Sequence, residues 1–504
     1  MSFPLVPDDA PNRALLDEVC PRDWINPSPR GRYDLVVLGG GPSGSAAARI
    51  AAAAGAKVAL VEQRFLGGDC LNFGGIPVQT LIRSARAAAE VRSAASLGVQ
   101  VPGGFHIDFG KVMKRVRMVR SELSSQYSAH HLEGLGIDVF LGTGSFRDHE
   151  TVIVGDSRLR FQKAIIATGA THSLPTVQGL AETDVLSMEA FFSLEQLPRR
   201  LAILGGGQVG CEIAQAMARL GSQVLLLESA PQILSRTDAD AAFIVQEALI
   251  RDGVSVFASS RLRRVQSTSE GKVVLFSRGE EVGSELVDAI LNVSGQIPRV
   301  RGIGLEAVGV TYNDGNGVKV DDFLRTSDPR IYAMGEVASN HPYAHAAEPM
   351  ARVVIENALF RGRSRASRLL VPWCAGTDPE IAQIGLNERL AADRAVEIDV
   401  YRSPFSATDR ACMDGATEGF VKILTAHKTD RMIGATVVGH EAGNLVGELS
   451  LAMATGCGLR RLSDVIHPYP THSAAIRQVS QQYMRNPRRF TSRKWTDRWL
   501  RSVG

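Results

Sequence analysis

The chain has 504 residues, 44% hydrophobic and 22% charged, with 49 glycines; at roughly 150 residues per domain this means about three globular domains and excludes a disordered or collagen-like chain. Lys and Arg total 56 against 53 Asp and Glu, a formal charge of +3, too even a balance for a nucleic-acid footprint, so no nucleic-acid partner is expected. The six cysteines (Cys20, Cys70, Cys211, Cys374, Cys412, Cys457) form no CxxC pair and no cluster with histidine, which speaks against a zinc site and a secreted disulfide framework and fits a reducing compartment.

In chain order, MSFPLVPDDAPNR places proline and acid where a signal peptide needs basic and then apolar residues, and no uncharged run reaches about 18 apolar residues, so a cytoplasmic protein is expected. Residues 1–31 are Pro-rich and weakly periodic, an arm laid on the body with Trp24 as its anchor. YDLVVLGGGPSGSAAARIAAAAGAKVALVE then reads as strand, glycine turn, Ala-rich helix and a second strand ending at Glu62, a β-α-β unit. Residues 77–135 carry helical spacing, and HETVIVGDSRLRFQKAIIATGA alternates as strands before a Thr-Gly turn. RLAILGGGQVGCEIAQAMARLGSQVLLLE repeats the β-α-β grammar and ends at Glu228. DAILNVSGQIP and DPRIYAMGEVA are further strand-to-glycine segments, and from about residue 370 strands such as GFVKILTA and RMIGATVVG, then a helix near Ala442, indicate a third, α+β domain.

The first motif is Gly39-x-Gly41-x-x-Gly44, with Glu62 lying 23 residues beyond Gly39. Gly39 permits the tight turn, Gly41 lets the backbone approach a pyrophosphate, and Gly44 lets helix and strand pack closely, while Glu62 can accept from ribose hydroxyls. Gly205-x-Gly207-x-x-Gly210 with Glu228 repeats the 23-residue spacing. Two such units imply two dinucleotides, most economically a tightly held FAD and an exchanging nicotinamide. Glu228 would repel a 2′-phosphate and Ser229 and Ala230 supply no cation, so NADH is expected in preference to NADPH.

With GGGPSG, GGDCLNFGGIP, IIATGA, GGGQVGCE, YAMGEVA, HAAE, TDPEIAQIG and HPYPT in order, the sequence resembles the FAD-dependent pyridine nucleotide-disulfide oxidoreductases over nearly its whole length, with a mercuric reductase-like or dihydrolipoamide dehydrogenase-like aspect. The resemblance implies an α/β protein with two Rossmann-like dinucleotide-binding domains, one for FAD and one for NAD, plus a C-terminal α+β dimerisation domain and hence a homodimer. The corresponding division is an arm 1–31, FAD-binding 32–186 and 302–368, NAD-binding 187–301, dimerisation 369–485 and a basic tail 486–504. It places Thr168 and Gly169 beside the nucleotide half of FAD and Glu336 where the family has an aspartate for the ribityl chain. It adds Gly68, Asp69, Gly144, Ala338 and Gly295 to the cofactor-binding set, and puts His345 and Glu348 in the segment near the flavin ring, where they read either as flavin neighbours or as a pair at a helix N-terminus.

The departures concern the family's working parts. Its two flavin-side cysteines stand five positions apart, and here they are Cys70 and Gly75; its Ser-Lys pair is Val78 and Gln79. Without the second thiol the route to disulfide substrates is gone. Glu212, after Cys211, persists as the family carboxylate, either positioning the nicotinamide or acting as a solvated acid at a helix start; Cys211 itself reads as packing. In HPYPTHSA the family's His-Glu dyad becomes Tyr469 and Ala474, while His467 and His472 read as structural. Cys70, Glu212 and Tyr469 are the catalytic candidates. No metal is expected, because the last cysteine is Cys457 and mercuric reduction needs a pair near the C-terminus.

The leading reading is an FAD-dependent NAD(P)H oxidoreductase that passes hydride from NADH to FAD and on to a small-molecule, non-disulfide acceptor: a quinone-like compound, a nicotinamide or oxygen. The alternative is a non-catalytic FAD- and NAD-binding homodimer with an interaction or sensing role, and the lesser one is thiol or mercuric-ion chemistry through Cys70. From Met484 the tail carries seven cations against Asp497, with Trp495, Trp499 and Val503 at i, i+4 and i+8; packing on the dimer is the preferred reading, peripheral contact with an anionic membrane the weaker one.

Overall fold

The computed structural model describes residues 5–102, 104–338 and 343–485, and the chain divides into two compact units, Met1–Pro231 with Asp252–Leu369 and Gln232–Arg251 with Leu370–Gly504.

The first unit opens on a helix, α1 (Ala10–Val19), inside the segment whose weak periodicity had suggested only an irregular arm. Local chemistry explains it: Asp9 caps the helix by accepting from Asn12 N at 3.0 Å, a proline stands in its first turn, and Asn12, Leu15 and Val19 are its buried face. Trp24 does anchor the arm, donating from Nε1 to Val139 O at 3.2 Å, and Asn26 exchanges hydrogen bonds of 3.0 and 2.8 Å with Leu141, so its amide covers a sheet edge as another strand would.

Next come β1 (Arg32–Leu38), α2 (Pro42–Ala53), β2 (Val58–Glu62), α3 (Gly68–Asn72), α4 (Gly75–Ser93), α5 (Phe109–Ser124) and α6 (Ala129–Gly134). The strands β3 (Asp138–Leu141), β4 (Gly144–Asp148), β5 (Thr151–Val154) and β6 (Ser157–Ile166) complete a sheet in the order β3-β2-β1-β6-β5-β4, with Ile331–Ala333 pairing β6 in parallel. β1 pairs in parallel with both β2 and β6, so the chain reverses its winding direction at β1. In such sheets ligands bind in the crevice beyond the strand ends at that reversal, where the first glycine turn sits. Val36, Leu38, Ala59, Phe161 and Ile166 are among the buried residues that fill the core under it.

After β7 (Ala170–His172) and α7 (Met188–Phe192), the second nucleotide fold is β8 (Arg200–Leu204), α8 (Gln208–Leu220) and β9 (Gln223–Leu227). Its parallel sheet runs Val254–Phe257, β9, β8, Ala289–Asn292, and a three-stranded antiparallel sheet covers residues 260–287. In the second unit an antiparallel five-stranded sheet holds the strands Trp373–Ala375, Glu380–Gly385, Met432–Gly439, Phe420–Ala426 and Ile398–Pro404, with the helix Ala442–Ala454 beginning where the sequence pattern placed it. The helix Ala239–Arg251, inside the sequence of the second nucleotide fold, groups with this unit and packs on the strands Glu380–Gly385 and Met432–Gly439. No helix among the described residues is long and apolar enough to cross a membrane.

Candidate cofactor and redox site

At the end of β1 the chain turns at Gly39 with φ +108°, and a Cβ there would lie 2.2 Å from Ala167 O; both conformation and space demand glycine. Gly41 caps α2 with no side chain bonded to the helix's first N–H groups, which leaves them and the positive end of the helix for an anion. Gly44 lets α2 descend onto β1, since its Cβ would be 1.8 Å from Gly39 O. Glu62 accepts from Gly40 N at 2.6 Å and Arg64 N at 2.7 Å. Burial pushes its carboxyl above the usual range, against those two donors.

A cavity of about 360 Å³ opens from this turn. Of the residues named from the sequence, Gly39, Gly41, Glu62, Gly68, Asp69, Cys70, Gly144, Thr168, Gly169 and Glu336 line it together. Gly44 lies beneath the turn and Ala338 packs against the sheet core. The sequence reading did not single out Arg64, Phe73, Arg299, Met334 or Tyr343, which also line the cavity; Phe73 and Met334 lie inside GGDCLNFGGIP and YAMGEVA, while Arg64, Arg299 and Tyr343 fall in none of the motifs and only the fold gathers them. Arg299 Nη2 stands 3.5 Å from Asp69 Oδ2, and Arg64 is held by Glu189 at 2.5 and 2.6 Å with its guanidinium over the Phe65 ring. His345 stacks on Tyr343, while Glu348 is exposed and paired with Arg352. The open helix end, the Glu62 carboxylate and the glycine cradle fit a dinucleotide such as FAD.

Glu336 is sunk in the cavity wall, and its carboxyl is pushed up to about 7, by burial first and Asp69 second, against the Ala170 N–H and Arg299. The folded state therefore holds a proton that the unfolded chain releases from about pH 4.5 upward, so this group lowers stability progressively as pH rises to about 7. Glu336→Gln keeps an acceptor for Ala170 N without the charge. In flavin-free protein it is expected to unfold at higher denaturant than the wild type at pH 8, by about 1–2 kcal/mol, and to match it at pH 4.5; equal denaturation curves at both pH values would sink this.

On the next loop, α3 carries Cys70 and Gly75 opens α4, and a Cβ at Gly75 would sit 3.4 Å from Cys70 Sγ. Burial, then Glu336 and Asp69, push the Cys70 thiol up, which keeps it protonated and a poor nucleophile. One turn on, Val78 is buried and Gln79 Nε2 donates to Glu212 Oε1 at 3.1 Å. Gln208 Nε2 reaches the same oxygen at 3.3 Å, and Glu212 is only 2% exposed. The reading of Glu212 as a solvated acid is thereby corrected: α4 covers it, and carboxamide N–H groups are seen at its carboxylate.

The second glycine turn copies the first. Gly205 has φ +111°, Gly207 caps α8 without a side-chain bond, and a Cβ at Gly210 would lie 1.8 Å from Gly205 O. Glu228 accepts from Gly206 N and Ala230 N, both at 2.7 Å. Gly295, with φ +58°, approaches Ser173 across the strand ends. Cys211 is buried with Sγ donating to Gly206 O at 3.3 Å.

Tyr469 belongs to the C-terminal unit, where it is 76% exposed and donates to Asp409 Oδ2 at 3.1 Å. That bond pushes its phenol up and keeps the proton on it. In the same unit His467 Nε2 lies 2.9 Å from Glu448 Oε1 and His472 Nε2 3.1 Å from Asp414 Oδ2. Asp238, Asp240 and Glu388, a carboxylate grouping of metal-ligating type among the described residues, surround the Lys422 ammonium at 3.2, 2.8 and 2.5 Å. The basic tail 486–504, with Trp495 and Trp499, lies outside the described residues.

The family profile described as pyridine nucleotide-disulphide oxidoreductase matches residues 33–351, and that of its dimerisation domain residues 371–480. A dihydrolipoyl dehydrogenase of Bacillus subtilis is 33% identical over 450 residues, which span 88% of this chain and 97% of the relative. A mercuric reductase of Lysinibacillus sphaericus is 28% identical over 448 residues, spanning 88% and 81%. Among solved structures, the HOCl-induced flavoprotein disulfide reductase RclA from Escherichia coli matches with a TM-score of 0.79 at 28% identity, covering 89% of this chain and 99% of that one. LpdA from Mycobacterium tuberculosis matches with 0.80 at 28%, covering 90% and 99%.

Proposed function

Because this chain belongs to the pyridine nucleotide-disulphide oxidoreductase family, whose members bind FAD and NAD(P)H, we propose that it is an NADH-dependent flavoprotein oxidoreductase that reduces a small non-disulfide acceptor and works as a homodimer. The observation that carries this is that glycine occupies position 75, where even an added Cβ would lie 3.4 Å from Cys70 Sγ, so Cys70 faces no second sulfur there. FAD bound in the cavity would supply a two-electron carrier between nicotinamide and acceptor.

The chain's own residues do the rest. The α2 and α8 N-termini each offer N–H groups to a pyrophosphate, while Glu62 and Glu228 accept from ribose hydroxyls. Glu212, fixed by Gln79 and Gln208, presents a carboxylate that orients a nicotinamide. No lysine ammonium stands at position 79 to favour an anionic reduced ring, and the protonated Cys70 takes no part in electron transfer.

Anaerobic titration with NADH, following loss of flavin colour, tests the reading: bleaching by NADH supports it, and no bleaching with either nicotinamide favours the non-catalytic dimer. NADH is expected to reduce the protein at least about tenfold faster than NADPH at equal low concentration, because the Glu228 carboxylate would face a 2′-phosphate across a few ångströms. Equal rates would mean that a cation offsets that repulsion.

A further inference from the structure

One buried network joins the N-terminal helix to the cavity, outside the groups used so far. We propose that Arg120 is a positioning residue: tied to Asn12 of α1, it suspends the Gly68–Asn72 segment that forms one wall of the cavity. The consequence for cofactor retention rests on the FAD reading above; the tether itself does not.

Arg120 on α5 is 3% exposed. Its Nη1 donates to Asn72 O at 2.7 Å and its Nη2 to Asn12 Oδ1 at 2.5 Å. Asn72 ends α3, a helix of five residues, and a terminal carbonyl there needs a donor from outside the helix. The Asn72 amide in turn donates to Leu66 O at 3.1 Å and Gly68 O at 2.8 Å. The segment is thus closed on itself, and its C-terminal end is held by the Arg120 guanidinium, while Arg299 reaches only the exposed Asp69 side chain, at 3.5 Å. On the other side α1 is fixed independently: Asp9 accepts from Arg117 Nε at 2.7 Å, Asn12 Nδ2 donates to Pro7 O at 2.8 Å, and Val19 O accepts from Leu66 N at 3.1 Å.

The choice of arginine follows from the geometry. Its planar fork serves two acceptors on two chain segments, which a single ammonium cannot hold in the same plane. Burial and Arg117 lower its pKa to about 10, so it stays charged at neutral pH. Its Nε is buried without a partner among the described residues, so loss of the Asn12 oxygen would leave a second donor unsatisfied. The side chain also lies over Phe73, 5.9 Å from the ring centroid, beside the cavity lining.

The test uses the full-length protein as purified. Asn12→Ala and Arg120→Lys each remove one end of the tether, while Asn12→Asp keeps an oxygen in reach. Iodoacetamide labelling is followed by peptide mass mapping at Cys70, with the fully buried Cys211 as internal control, and FAD release is measured in parallel. Cys70 labelling is expected to rise about tenfold in the first two variants, with Cys211 unchanged and Asn12→Asp slow again, because a lost charge-assisted bond promotes local opening of this size. Unchanged Cys70 labelling, or equal acceleration at Cys70 and Cys211, overturns the proposal. Faster Cys70 labelling in protein that holds no flavin would instead sustain the tether and refute the FAD reading.

Discussion

Gly44→Ala is expected to yield protein that purifies without flavin, and Gly210→Ala protein that keeps its flavin yet is no longer reduced by NADH. The two positions are structural copies: in each the added Cβ would lie 1.8 Å from the carbonyl oxygen of the turn's first glycine, Gly39 or Gly205. That neighbour is backbone, so no side-chain rotation relieves the clash. The helix must move off its strand, carrying with it the N–H groups that would hold the pyrophosphate. Overpacking of this kind costs about 3 kcal/mol, roughly a hundredfold in affinity. Flavin content per chain and single-turnover reduction by NADH read the two variants separately. Full flavin content in Gly44→Ala, or wild-type reduction of Gly210→Ala, would disconnect these turns from nucleotide binding.

The second large effect concerns the absent sulfur. Gly75→Cys is expected to form a reducible disulfide with Cys70, since the new Cβ would start 3.4 Å from the existing Sγ, a separation that side-chain rotation can close to bonding distance. Thiol titration of the unfolded variant before and after reduction should show two thiols appearing that the wild type does not gain. Reduction of lipoamide or glutathione disulfide should still stay near zero, because Tyr469 and Ala474 supply no imidazole-carboxylate pair for proton transfer to the leaving thiols. In the wild type, Cys70→Ser should leave NADH-driven reduction of an artificial quinone within about twofold, as expected of a protonated thiol outside the electron path. A loss of tenfold or more in Cys70→Ser would restore thiol chemistry, and a Gly75→Cys protein whose two thiols stay free would mean that the α3–α4 junction is displaced from the family arrangement.

Both nucleotide folds were legible in the sequence because their constraints are local. A glycine must stand where φ is positive at Gly39 and Gly205, and an acid must end the second strand within one β-α-β unit, so spacing along the chain is spacing in space. The substitutions at Gly75, Gln79, Tyr469 and Ala474 were equally plain, since each is read from a single position. The α1 helix escaped notice because its signals, an Asp9 cap, an early proline and a buried face of three residues, are weak until α5 covers them.

Only the tertiary structure decided what depends on segments far apart in sequence. Glu212 is a buried, amide-held carboxylate because α4 packs on α8 and brings Gln79 to it across 133 residues. Glu336 acquires its raised pKa because the fold buries it in the cavity wall and, second, brings Asp69 of α3 to the same wall. Asn72 depends on Arg120, and Arg120 on Asn12, through bonds that no motif records. Desolvation and hydrogen bonding act through distance in space, and residue type fixes what a side chain can do while packing fixes which of those things it does.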